Sequence, residues 1–139
     1  MIHVGNQVFA SGDFTNIGGV SRSKLASLND NTGNALSWNP SPDTYCGEMT
    51  YSDSMLHITG QFYGVGASSR RRVASMHISG ERPNLWNPSP DDICKDIAVY
   101  YDNIIVAGEF HNIGGHYKKY LSVFSPVNCS TTFNTDTIV

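Results

Sequence analysis

Short runs of alternating apolar and polar residues recur along this chain at a fixed spacing of 48 residues. Leu56 and Ile58 share one face of such a run; Val8 and Ala10, then Ile104 and Val106, hold the matching places. Alternation over about four to eight residues is the mark of a half-buried strand. Other positions keep step with it. Gly12, Gly60 and Gly108 form one series, Phe14, Phe62 and Phe110 a second, and Leu25, Val73 and Leu121 a third. The string WNPSP at Trp38–Pro42 returns intact at Trp86–Pro90.

The middle repeat is complete and predicts four strands. CGEMTYS opens at Cys46 with Met49 and Tyr51 alternating, and MLHITGQF follows the polar turn Ser52-Asp53-Ser54. A longer glycine-containing loop leads to RRVASMHI, and the turn Ser79–Pro83 leads to NLWNP. That last run is short and ends in proline, as edge strands do. No segment sustains a helical period. Four antiparallel strands repeated in register predict propeller blades. The expected fold is therefore an all-β partial β-propeller of about three four-stranded blades, at 1–42, 43–90 and 91–139. Trp38 and Trp86, with Phe133 one place out of step, are expected on the outer strand, filling the gap between blades. A sheet with two apolar faces buries neither alone, so neighbouring units must supply the cover.

Composition narrows the class. The chain has 139 residues, 40% hydrophobic and only 15% charged, which suits one globular domain. A net charge of −3 argues against nucleic acid as a partner. No apolar run is long enough to span a membrane, and the N-terminus lacks the basic and apolar regions of a signal peptide. Cys46 and Cys94 are repeat equivalents, and such positions on packed sheets lie roughly 10 Å apart. A disulfide needs Cα atoms within about 7 Å, so Cys46, Cys94 and Cys129 are expected as free thiols. Asn128-Cys129-Ser130 fits a glycosylation acceptor. No motif calls for a metal or cofactor; His111 and His116 share a loop, at a spacing poorly suited to a metal.

The parity of the strands places the second-to-third and fourth-to-first connections on one side. Seven basic residues gather there or at its entry: Arg22, Lys24, Arg70, Arg71, Arg72, Lys118 and Lys119. They form a candidate binding arc for an anionic glycan or a protein. Against that reading, Arg22 and Lys118 can reach back to Asp13 or Glu109, and Asp43, Asp91 and Asp92 can neutralise others. Asp13, Gln61 and Glu109 form a series that one amide interrupts. Glu48 and Asp96 are the equivalent carboxylates of the first strands, but no nucleophile elbow or phosphate loop accompanies them.

The stretch FASGDFTNIGGVSRSKLASLNDNTGNALSWNP resembles the delta-sixty class of bacterial β-propeller repeats, with its Asp-Phe-Thr, Ile-Gly-Gly, Arg, Thr-Gly and Trp-Asn-Pro elements. The likeness extends over most of the chain and fades after Pro126. The family's glycine pair is Ser11-Gly12, Thr59-Gly60 and Ala107-Gly108 here, and Tyr63-Gly64-Val65-Gly66 stands in place of Asn-Ile-Gly-Gly. The resemblance implies a secreted or cell-surface setting and no agreed catalytic residues. It makes the expected function that of a non-catalytic binding or structural scaffold. The alternatives are a fragment of a propeller-fold carbohydrate-active enzyme and a kelch-like interaction adaptor. Propellers close with about four to eight blades. Met1 aligns with Met49, inside a first strand, so the remaining blades are expected from a longer chain or from a second copy.

Overall fold

The computed structural model describes residues 1–125 and contains no helix among them. In the first unit β1 (Ile2–Val4) and β2 (Gln7–Ser11) form a hairpin. A minimal hairpin of β3 (Asn16–Ile17) and β4 (Val20–Ser21) follows, and then β5 (Leu25–Asn29). The second unit repeats this as β6 (Cys46–Ser52), β7 (Met55–Gly60), β8 (Gly64–Val65), β9 (Ser68–Ser69) and β10 (Val73–His77). The third has β11 (Cys94–Tyr100), β12 (Asn103–Gly108), β13 (Asn112–Ile113), β14 (His116–Tyr117) and β15 (Leu121–Phe124). Each main sheet is antiparallel with the second strand central, in the orders β1-β2-β5, β6-β7-β10 and β11-β12-β15.

The expected fourth strand is not formed. In the first and second units its place is marked by one isolated bridge each, Leu28 to Ala35 and Met76 to Pro83, and among the described residues the main sheets have three strands. The amide of Leu36 donates to the Ser27 carbonyl, and that of Asn84 to Ser75. Prolines at 40, 42, 88 and 90 then deprive the segment of ladder donors. The third unit's counterpart, Phe133, Cys129 and the Asn128 acceptor lie outside the described residues.

Burial between units, not within them, forms the core. One apolar cluster joins Phe9, Leu25 and Trp38 of the first unit to Leu56, Ile58 and Phe62 of the second. The next joins Val73 and Trp86 of the second unit to Ile104, Val106, Phe110 and Phe124 of the third. Trp38 meets Phe9 edge-on at 5.0 Å between ring centroids, and Trp86 meets Phe124 at 5.4 Å. The Trp38 Nε1 also donates to the Gly80 carbonyl across the unit boundary, at 2.6 Å. Both tryptophans thus fill the seam between units, as the sequence suggests. Cys46 and Cys94 sit in these cores as free thiols, and burial pushes both pKa values up to about 12.

The outermost faces lack this cover. Phe62 and Phe110 are fully buried while their equivalent Phe14 is half-exposed; Val65 and Ile113 compare with Ile17 in the same way. At the other end Leu25 and Val73 are 0% exposed, but Leu121 is 41% exposed.

His57 lies on the face of β7 opposite Leu56 and Ile58, at the place that Phe9 takes in the first unit. Its Nδ1 is 2.6 Å from the hydroxyl of Ser75, its cross-strand partner. Burial lowers its pKa from 6.5 to about 4. As pH falls, the unfolded chain therefore takes up a proton before the folded one does. Stability present above pH 6.5 drains away down to about pH 4, by an amount on the order of 3 kcal/mol. Urea unfolding at several pH values should show this loss, and His57→Phe, which copies the first unit, should remove most of it.

Candidate functional site

The loop side of each unit is built on a closed neck. Residues 24, 72 and 120 all have left-handed φ (66°, 65° and 69°) although none is glycine. Around each, the following amide bonds back to the preceding carbonyl: Leu25 to Ser23, Val73 to Arg71 and Leu121 to Lys119, all at 2.8 Å. This is the strained hand of γ-turn. What holds it is a pair of bonds across the loop mouth. The amides of Lys24, Arg72 and Tyr120 donate to the carbonyls of Phe14, Phe62 and Phe110. Their own carbonyls accept from Gly12, Gly60 and Gly108. The turn projects residue 24, 72 or 120 from a fixed point in every unit.

Beyond the neck, each loop folds into its two-residue hairpin. The turn pairs are Gly18-Gly19, Gly66-Ala67 and Gly114-Gly115, all at positive φ, as a type I′ turn requires. This corrects the expected alignment by one residue: Gly64-Val65-Gly66-Ala67, not Tyr63–Gly66, takes the Asn-Ile-Gly-Gly place. Ala67 at φ 58° carries strain that its glycine counterparts avoid. A Cβ on Gly66 would stand 2.0 Å from the Glu81 carbonyl oxygen, so the turn lies directly against the following segment.

The Pro-rich loops clasp these hairpins. Gly66 donates its amide to the Pro40 carbonyl and Gly114 to Pro88, both at 2.6 Å. Asp43 accepts from the Tyr63 amide; its equivalent Asp91 accepts from the amides of His111 and Asn112 and from the Asn112 side chain. Those donors hold the Asp91 carboxyl down at about 2. The acidic residues of these loops thus bind backbone; they were expected to neutralise the basic arc.

The seven basic residues separate by role. Arg22 donates to the carbonyls of Ser21 and Leu36, and Arg70 makes the identical pair of bonds to Ser69 and Asn84. Both staple the hairpin to the fourth segment. Lys24, and not Arg22, pairs with Asp13. Arg72 is buried, donating to the Pro90 carbonyl at 2.9 Å and to the Tyr63 hydroxyl at 3.3 Å. Glu109 is taken by Lys95, and Lys118 is half-buried on the third loop, at the place of Arg22 and Arg70.

Arg71 and Lys119 are left as exposed cations at equivalent places, where the first unit has Ser23. Arg71 lies over the Tyr63 ring at 5.4 Å, and Lys119 over Tyr117 at 5.7 Å. A hydrogen bond with Tyr117 raises the Lys119 pKa. Tyr63, Tyr117 and Tyr120 are all half-exposed or more, and Tyr120 packs against His111 at 5.6 Å. These aromatic residues were not singled out from sequence, although Tyr63 and Tyr117 flank the same glycine turns. Among the described residues no group of three or more His, Cys, Asp or Glu side chains could hold a metal ion.

Of the carboxylates, Glu48 and Glu109 line one concavity with Gln61, whereas Asp13 and Asp96 do not share it. No family model, curated protein or solved structure matches the chain.

The division of the cations is testable. Arg22→Ala and Arg70→Ala each remove two charge-assisted bonds, one to a part-buried carbonyl, and should cost about 1–2 kcal/mol in chemical denaturation. Arg71→Ala, a solvated surface change, should stay within about 0.5 kcal/mol of wild type.

Proposed function

We propose that the chain is part of a β-propeller in a secreted or cell-surface protein and serves as a non-catalytic binding scaffold. The observation that carries this reading is the location of the cores. Each three-stranded sheet buries its faces on its neighbours and keeps almost no interior of its own, the packing of a propeller or similar array. The outward loops repeat the same hairpin and neck, and the second and third also share the clasp, so the variable side chains on them are where a partner can be read. The paired Arg71–Tyr63 and Lys119–Tyr117 groups suit an acidic glycan. The cation takes a carboxylate or sulfate, and the tyrosine ring against it holds the cation in place. The resemblance to surface propeller repeats agrees with such a partner.

Binding to a panel of acidic polysaccharides, with hydrolysis assayed in parallel, tests this reading. Affinity should fall with salt and drop about tenfold in an Arg71→Ala/Lys119→Ala double variant. Turnover of any of these glycans would overturn the non-catalytic assignment.

The half-covered end faces call for further sheets of the same kind, from a longer chain or from a second copy. Leu25 and Val73 are sealed by a following unit; Leu121 awaits one. Light scattering on the 15.2 kDa chain should show self-association that Leu121→Glu weakens. A monodisperse wild-type monomer would overturn this.

A further inference from the structure

The concavity shared by Glu48, Gln61 and Glu109 lies where the first and second strands of the second and third units meet the loop side. It has a volume of about 370 Å³, within the range of roughly 300–1,000 Å³ typical of small-molecule sites. Tyr45, Ile93 and Lys95 complete its wall. Two backbone features open it. A β-bulge sets Gly47 and Glu48 opposite a single residue of β7, turning the Glu48 side chain out of the ladder. Gly60 and Gly108 let the strands approach so closely that a Cβ on either would stand 2.2 Å from the carbonyl oxygen of Tyr45 or Ile93. Gly47 and Gly60 both lie on the wall and add no side chain to it.

The chemistry of the wall narrows the ligand. The Glu48 carboxylate has no hydrogen-bond or ionic partner among the described residues, its backbone carbonyl alone accepting from the Thr59 hydroxyl, and Gln61 offers both a donor and an acceptor. Lys95 and Glu109 pair with each other across one side. Tyr45 presents a ring that is 44% exposed. Glu109 neutralises Lys95, so the unpaired charge on the wall is the Glu48 carboxylate, which repels an anion. A hydroxyl can donate to Glu48 and accept from Gln61 or Lys95. An aromatic ring beside alternating donors and acceptors suits the apolar face and hydroxyl rim of a pyranose.

We propose that this concavity binds one pyranose unit of a neutral glycan, with Tyr45 stacked on the sugar face. Glu48 and Gln61 accept its hydroxyl protons, and the Lys95–Glu109 pair supplies a donor and an acceptor on the opposite side. The site stands apart from the Arg71 and Lys119 pairs and does not depend on them.

Titration of the full chain with methyl glycosides of glucose, galactose and mannose, followed by amide chemical shifts, tests the proposal. At least one glycoside should perturb the amides of residues 45–48, 60–61 and 93–95 saturably. Tyr45→Ala and Glu48→Gln should each weaken it about tenfold or more, since each removes one main contact. Arg71→Ala should leave it unchanged, which separates this site from the acidic-glycan reading. Both 45 and 48 are solvent-accessible, so the variants keep the wild-type spectrum away from the site. Three results would each overturn the proposal: no response to any glycoside, an undiminished response in both variants, or saturation by methylammonium in place of sugar.

Discussion

Everything in this structure hangs on burial across the seams between sheets. Leu56 and Ile58 are sealed by the unit before them, and Val73 by the unit after. A three-stranded sheet of this size has no second layer of its own, so its apolar faces would otherwise meet water. At about 25 cal/mol per Å² of apolar surface, each seam outweighs any hydrogen bond or ion pair on the loop side. The tryptophans matter because each lies in a seam: Trp38 bonds to the Gly80 carbonyl across the first, and Trp86 meets Phe124 edge-on across the second. Stability is consequently a property of neighbours, and the end units show what happens where a neighbour is wanting.

The seams also make the loop side affordable. Three non-glycine residues at φ near +65°, each in a strained γ-turn, cost on the order of 1–3 kcal/mol apiece. The bonds across each neck tie them to Gly12, Gly60 and Gly108 at the ends of central strands. Those strands are themselves held rigid by burial. The clasp from Pro40 or Pro88 then fixes the hairpin of one unit to the unit before it. Core, neck and clasp form one chain of support, so the loop surface is presented by a stiff frame.

How much of this was legible follows the range of each interaction. The period and the central strands were, because alternation such as Leu56–Ile58 records a local environment that the seam imposes. The first strand of the second unit was placed at Cys46–Ser52, the bounds it has. The fourth strand is absent although NLWNP has the residues of one, because the prolines that follow leave it a single rung. The small hairpins escaped because two residues carry no alternation; only the paired glycines marked them. For the cations, counting charge could not tell a staple from a free group. The recurrence of Arg22 and Arg70 opposite Leu36 and Asn84 was the available signal, and its meaning needed the carbonyls in view. The bulge that opens the concavity has no local signature beyond Gly47, and the third unit has Lys95 there instead.

A repeat that builds its own frame three times over gives a physical criterion for where binding can reside. Several positions whose side chains serve the seam, clasp or staple keep their chemistry from unit to unit: Phe14, Phe62 and Phe110; Asp43 and Asp91; Arg22 and Arg70. Positions without that duty are free to differ. Thr15, Tyr63 and His111 differ, as do Ser23, Arg71 and Lys119, and Gly47 and Lys95. These differing sites gather on the loop side of the second and third units. Arg72 shows the boundary between the two kinds: it holds the neck with its backbone yet uses its guanidinium to fix Tyr63 from below. An exposed tyrosine held in this way loses little entropy on contact, and so its ring is preorganised for a partner.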